Sequence, residues 1–526
     1  MASNSFLIKG GTIIDGSGAP MAKGNVSISG EFIKNVGNLG RSSAPIVIDA
    51  TGKYIMPGIV DITNHSDTHW TLFTFPEQAN LIAQGITTIV GGVCGASLAP
   101  LADTRALKPI RKWTDISRAN INWQSVGEFL TELETRHKIG VNFGTCVGYN
   151  TLRANITPDS AQELTRPEID SIKMMLKRSF EEGALGLSFN LAHTGNSTST
   201  QDEIIEIARS IREANKITMI HMRNEGSRLL PSLAEVLQLA RQSGAHIHIS
   251  HFKAIGRRAW GDFLKALIMI RKAQKAEKLR ITVDFFPYLS TGSLLYSLLP
   301  DWILEGDTDT IMKTLSDPSR KTDILDSLKA MTLHYDAITI AEAQKDKHAV
   351  GKTIAEIAHT AELSPEETML ELLITNGLGV TIFSKTLKSK HIVRIAKESY
   401  SVFASDGVGE MERAVDLTHP RSYGATARFL NRAVAKNGIL SWEEAVKKMT
   451  FEPASFVGLS EKRGLVRPGY YADLVIFDPG KIKDRATYKT PYQYPEGIEY
   501  VFINGNCALE PGKLTGTLAG KILRGK

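Results

Sequence analysis

Residues 217–251 read ITMIHMRNEGSRLLPSLAEVLQLARQSGAHIHISH, and this stretch decides the fold. ITMIHM and HIHISH are short apolar runs that reach a polar step at His221 and His251. Between them, Ser232 to Ser243 carries apolar residues at helical spacing, with Pro231 and Ser232 placed to start a helix. Continuous apolar strands joined through a helix are the pattern of a parallel sheet covered on both faces.

Working outward, the same unit recurs. IMPGIVDITNH, ITTIVGG, VNFGTCVG, ALGLSF, ITVDFFPY and YSVFASD bring the candidate strands to eight, the number that closes a (β/α)8 barrel. Helical spacing also marks Pro167 to Glu182, Gln201 to Ala214 and Asp262 to Lys278. The ends of the chain have a different texture. FLIKGGTIID, VSISGEFIKNVG and IVIDATGKYIMPG near the start, and DLVIFDP and IEYVFINGNCAL near the end, read as short strands closed by Gly or Asp. The expected architecture is α/β: a distorted (β/α)8 TIM barrel over residues 57–460, and a small β-sandwich-like domain built from residues 1–56 and 461–526. The stretch from Tyr288 to Ser401 is too long for one crossover, so residues 289–375 are expected to form an insertion of helices and one strand late in the barrel.

A chain of 526 residues with 42% hydrophobic residues can bury a barrel core and an accessory domain. Its net charge of +6 comes from Lys and Arg scattered among acidic residues, which argues against nucleic acid as a partner. Three cysteines, Cys94, Cys146 and Cys507, do not make a disulfide framework. With no signal-peptide pattern, lipidation motif or long apolar run, the expectation is a cytoplasmic protein without membrane association. No GxGxxG opens a strand-to-helix turn, which removes the usual nicotinamide or flavin signature.

Chemistry concentrates where strands end. His221, His251 and Cys94 (after ITTIVGG) supply two imidazoles and a thiolate, a donor set suited to zinc. In PGIVDITNHSD, period two places Asp61, Thr63 and His65 on one face if the strand persists, making His65 and Asp61 further possible ligands. Asp406, in SVFASDGVGE, is the candidate carboxylate for moving a proton from attacking water to a leaving amine. Cys146 and Cys507 read as ordinary small thiols.

These motifs resemble the N-acyl-D-amino-acid deacylase (D-aminoacylase) family of the amidohydrolase superfamily. The likeness runs through GGTIIDGSG, PGIVDITNHSD, QGITTIVGGVCGASLAP, HMRNEG, ISHFKAIG, DFFPYLSTGS, ASDG, HPRSYGA and the long C-terminal KMTFEPASFVGLSEKRGLVRPGYYADLVIFDP. The resemblance implies one tightly bound zinc on Cys94, His221 and His251, with Asp406 catalytic. It also implies Lys253 beside the site, Arg421 clamping a substrate carboxylate, and Tyr288 and Arg223 among the substrate contacts. The implied substrate is a small acylated amino acid, cleaved to a carboxylic acid and a free D-amino acid. One departure stands out: the family's Asp-x-His-x-His reads Asp61, Ile62, Thr63, Asn64, His65 here, so a second, weaker metal site loses a ligand. Phe286 also stands where relatives often carry tyrosine.

Two alternatives make different demands. A cyclic-amide hydrolase of the dihydropyrimidinase type commonly uses two metals bridged by a modified strand lysine, and ALGLSF has none. A degenerate barrel kept as a binding or structural protein would hold no metal, and Thr63 is its strongest argument.

Overall fold

The computed structural model describes residues 5–40, 43–111, 113–114, 119–157, 163–192, 199–305 and 308–526. Eight parallel strands line the centre: β1 (Ile59–Asp61), β2 (Ile86–Gly91), β3 (Asn142–Thr145, resumed at Val147–Gly148), β4 (Gly186–Asn190), β5 (Ile217–His221), β6 (His246–Ile249), β7 (Ile281–Phe285) and β8 (Ser401–Phe403). They pair in chain order, β1 to β3 in one run and the second part of β3 to β8 in another. The break in β3 falls at Cys146, whose N–H still reaches Gly91 O at 2.9 Å. Gly92 lies directly against this residue with φ 66°, and a Cβ there would stand 1.8 Å from Cys146 O, so no other residue fits.

Between β8 and β1 the barrel closes partly through side chains. His65 N–H donates to Gly407 O at 2.9 Å, and the Asp61 carboxylate accepts from Ser405 N–H at 2.9 Å, from the Ser405 hydroxyl and from Asn64 Nδ2 at 3.0 Å. Asp61 is fully buried, and burial pushes its carboxyl up to about 6 against those bonds. Asp61→Ala strands three donors in the core and should cost about 2–4 kcal/mol of stability. Urea unfolding followed by circular dichroism checks this, and an unchanged midpoint would refute the closure role.

Four expected helices are present with small shifts: Arg166–Glu181, Gln201–Glu213, Leu229–Ser243 and Phe263–Lys275. The third begins at Leu229, three residues before the expected Ser232, because Leu229 is wholly buried in the barrel core and draws its turn into the helix.

Both chain ends meet in one nine-stranded mixed sheet with its own apolar cluster, including Ile8, Val26, Ile55, Leu474 and Phe502. The join is the antiparallel pairing of Tyr54–Pro57 with Leu474–Phe477. This sheet is the small β-domain expected from the two chain ends, its nine strands hydrogen-bonded together. Ser5–Ile13 pairs with Ile46–Asp49 through its first half and with Tyr54–Pro57 through its second, changing partners across a register shift between Ile8 and Gly11.

The insertion holds three antiparallel strands rather than one: Thr291–Leu294, Val380–Ser384 and Ile338–Ala343. With the helices Thr308–Ser316, Lys321–Met331, Ile354–Ala361 and Pro365–Thr375 it encloses a separate core, so this unit runs past residue 375 to Ser384. Helix Ser389–Ala396 then leads into β8. The insertion grips the segment after β8: Leu417 N–H donates to Ala341 O at 2.8 Å, and Lys347 pairs with Asp416 at 2.7 Å. Among the described residues no helix is long and apolar enough to cross a membrane.

Candidate metal centre at the barrel mouth

The carboxyl ends of the strands deliver the functional side chains to one place. His221 is the last residue of β5, while Cys94, His251 and Asp406 lie two or three residues beyond β2, β6 and β8. Those last three are non-glycine residues in the left-handed region, with φ of 52°, 41° and 52°. Such backbone costs on the order of 1–3 kcal/mol per residue and persists only where the surroundings enforce it, which is how reactive groups are aimed. Gly95 makes the approach of Cys94 feasible: with φ 78°, a Cβ there would sit 2.2 Å from Asn150 Oδ1.

The donor atoms of Cys94, His221 and His251 all lie within 4.8 Å of one another. Cys94 Sγ is 3.4 Å from His251 Nε2, and the two histidine rings stand 4.5 Å apart at 78°. Burial opposes ionisation of the Cys94 thiol, but the facing His251, His221 and His65 rings carry it well below its ordinary value. A cysteine sulfur facing two imidazoles is the donor set a soft-to-borderline divalent cation needs, so the residues present fit a metal.

Behind His251 stands Glu225, which the sequence reading passed over. His251 Nδ1 lies 3.2 Å from Glu225 Oε1, and Lys253 Nζ lies 2.7 Å from Glu225 Oε2 and 2.8 Å from His251 Nδ1. Burial raises the Glu225 carboxyl, yet the Lys253 and His251 charges hold it down to about 2. A carboxylate that accepts a hydrogen bond from Nδ1–H leaves the Nε2 lone pair facing the cluster. Glu225→Gln is therefore expected to weaken metal binding roughly tenfold or more. Competition with a chromogenic chelator measures it, and unchanged affinity would remove Glu225 from the centre.

On the opposite wall, His65 Nε2 is 3.1 Å from Asp406 Oδ1, and the Arg421 guanidinium donates to Asp406 Oδ2. Burial disfavours charge on both partners, but for His65 the contacts with Asp406 and Cys94 win and push it up to about 10. For Asp406 burial acts to raise the carboxyl, and the Arg421 charge with the His65 hydrogen bond hold it well below the usual carboxylate range. Arg421 begins helix Arg421–Phe429 and lies 5.2 Å over the Phe286 ring, so Phe286 offers a face where a tyrosine would also offer a hydroxyl.

The structure places Cys94, His221, His251, His65, Asp406, Lys253 and Arg421 side by side. Asp61, Tyr288 and Arg223 do not join them. Asp61 is spent on barrel closure because the strand ends at that residue, and the alternation that grouped it with His65 ends too. Tyr288 is buried and donates to Pro420 O at 3.0 Å, so it supports the start of the Arg421 helix from below. Arg223 forms a forked pair with Glu235, closest approach 2.9 Å, and also reaches Leu191 O. Asp284 was also missed; buried at the end of β7, it accepts from Thr63 Oγ1 at 2.6 Å. Its signal was an acidic residue closing the apolar run ITVD.

A parallel barrel that gathers a thiolate, two imidazoles and an Arg-paired carboxylate at its carboxyl mouth defines the class: a metal-dependent amidohydrolase. Comparison with known proteins agrees. Residues 320–508 match the amidohydrolase family. D-aminoacylase of Alcaligenes xylosoxydans xylosoxydans is 29% identical over 518 residues, 98% of this chain and 97% of its own. N-acyl-D-aspartate deacylase of the same organism is 29% identical, covering 99% and 95%. Among solved structures, the N-acyl-D-glutamate deacylase of Bordetella bronchiseptica, complexed with zinc and a phosphonate mimic of the tetrahedral intermediate, superposes with a TM-score of 0.82 at 27% identity, covering 99% of each chain. The chain belongs to the N-acyl-D-amino-acid deacylase (D-aminoacylase) family of the amidohydrolase superfamily.

Proposed function

We propose that the protein hydrolyses the amide bond of N-acyl-D-amino acids, using one zinc ion held by Cys94, His221 and His251. The observation that carries this reading is the meeting of that cluster with Asp406 and Arg421 in one mouth. When bound, the cation supplies Lewis-acid polarisation of the acyl carbonyl and makes water more acidic. Asp406 takes the proton of the attacking water as the new C–O bond forms. It then returns that proton to the amide nitrogen as the C–N bond breaks, releasing a carboxylic acid and a free amino acid. His65 steadies Asp406 from Oδ1. Thr63, whose hydroxyl is engaged with Asp284 and is a poor ligand, supports the reading of a single ion. The D preference rests on the likeness to the deacylases. Three free thiols support a reducing, cytoplasmic setting.

Arg421 has two partners in this scheme. Without substrate its guanidinium holds Asp406; an incoming α-carboxylate offers the same planar fork a better-placed acceptor, and the exchange frees Asp406 to act as base. Arg421→Ala should therefore lower kcat/KM for N-acyl amino acids by roughly 10–100-fold, the value of a charge-assisted hydrogen-bonded pair, while sparing matched amides without the carboxylate. Equal losses on both would refute the clamp. Zinc quantification with a panel of N-acetyl and longer N-acyl D- and L-amino acids tests the whole reading. About one zinc per chain and hydrolysis confined to the D series are expected. A metal-free, inactive protein would end it.

A further inference from the structure

His251 leaves β6 in the left-handed conformation, with Lys253 Nζ on its carbonyl at 3.0 Å and Asp284 on its N–H. Asp284 Oδ1 accepts the His251 N–H at 2.6 Å, and the Asp284 main-chain carbonyl accepts the next N–H, of Phe252, at 2.8 Å. The other carboxylate oxygen, Oδ2, accepts from Thr63 Oγ1 at 2.6 Å and lies 2.9 Å from His248 Nε2. His248 Nδ1 is 2.9 Å from Thr282 Oγ1, which is itself 3.1 Å from His246 Nε2. The contacts are compatible with a relay of protons running toward Asp284. His246 Nε2 donates to Thr282, the Thr282 hydroxyl donates to His248 Nδ1, and His248 Nε2 donates to Asp284. In that relay His248 Nε2 donates to Asp284, as Thr63 Oγ1 does, and Thr63, His248 and Asp284 are fully buried, so water does not compete.

We propose that Asp284 is a positioning residue for the metal centre: through the His251 N–H it keeps that imidazole in register with Cys94 and His221, while Thr63 and His248 fix its own carboxylate. The inference rests on the reading of Cys94, His221 and His251 as the metal site. It gives Thr63 a task. Where the family pattern places an imidazole, this chain places a short hydroxyl that braces Asp284, so the departure tightens the surviving site from behind.

The test compares Thr63→Val, which keeps the shape and removes the donor, with Thr63→Ser, which restores it, and adds Asp284→Asn. Zinc affinity by chelator competition, kcat and KM separately, and the thermal midpoint are read for each. Thr63→Val should bind zinc roughly threefold to tenfold more weakly and lose kcat with KM little changed, and Thr63→Ser should recover both. Asp284→Asn turns an amide N–H toward two donors and should weaken zinc roughly 10–100-fold. If it does not fold, the two Thr63 variants decide. Wild-type zinc affinity and kcat in folded Thr63→Val, or equal losses in Thr63→Val and Thr63→Ser, would overturn the proposal while leaving the metal reading intact. A wild-type protein that takes up no zinc would overturn both.

Discussion

Cys94→Ala should lose bound metal and amide hydrolysis together while the fold stays intact. The thiolate is the one anionic donor of the cluster, and it touches His251 and His65 as well as facing His221. Without it two imidazoles remain, and a dipositive ion held by two neutral donors lacks both charge compensation and a third anchor. The backbone at position 94 is already left-handed, and alanine adds no bulk, so stability should change little. Metal analysis by mass spectrometry after dialysis, with hydrolysis assayed on the same sample, checks it. Cys94→Ala retaining a stoichiometric ion would place the metal elsewhere. An original protein without metal, behaving like its Cys94→Ala variant, would point to a binding scaffold instead.

The barrel was legible because its strands are continuous apolar runs, a pattern set by burial on both faces, and ITMIHM and HIHISH both resolve as β5 and β6. The ligands were legible for the same reason: a polar residue ending such a run has one mouth to face. What supports them was not. Glu225 and Asp284 act on His251 across 26 and 33 residues, and nothing local in HMRNEG or ITVDFF states that pairing. His246 and His248 are out of phase with His251, as period two requires, yet His248 reaches the site indirectly through Asp284. In the insertion, Thr291–Leu294 and Val380–Ser384 are too short to show alternation and become strands only by pairing with each other and with Ile338–Ala343. Tyr288 and Arg223 were placed at the substrate by motif alone, and local packing gave their donors to Pro420 and Glu235.

Asp406→Asn should leave the metal in place and lower kcat by roughly two to four orders of magnitude, the range of general acid–base help. Asparagine fills the same space and can still accept from Arg421, but it cannot take the proton from water or return it to nitrogen. The pH dependence separates this role from a structural one. Arg421 holds the Asp406 carboxyl below the usual carboxylate range, so in the free enzyme the ionised form persists to unusually low pH. Removing that cation withdraws the depressing charge, leaves burial acting upward, and must move the Asp406 titration to higher pH. The acid limb of kcat/KM, read on an amide without the α-carboxylate, should therefore shift upward in Arg421→Ala and vanish in Asp406→Asn. Full activity in Asp406→Asn, or an acid limb in Arg421→Ala that stays put, would mean that another group moves the proton.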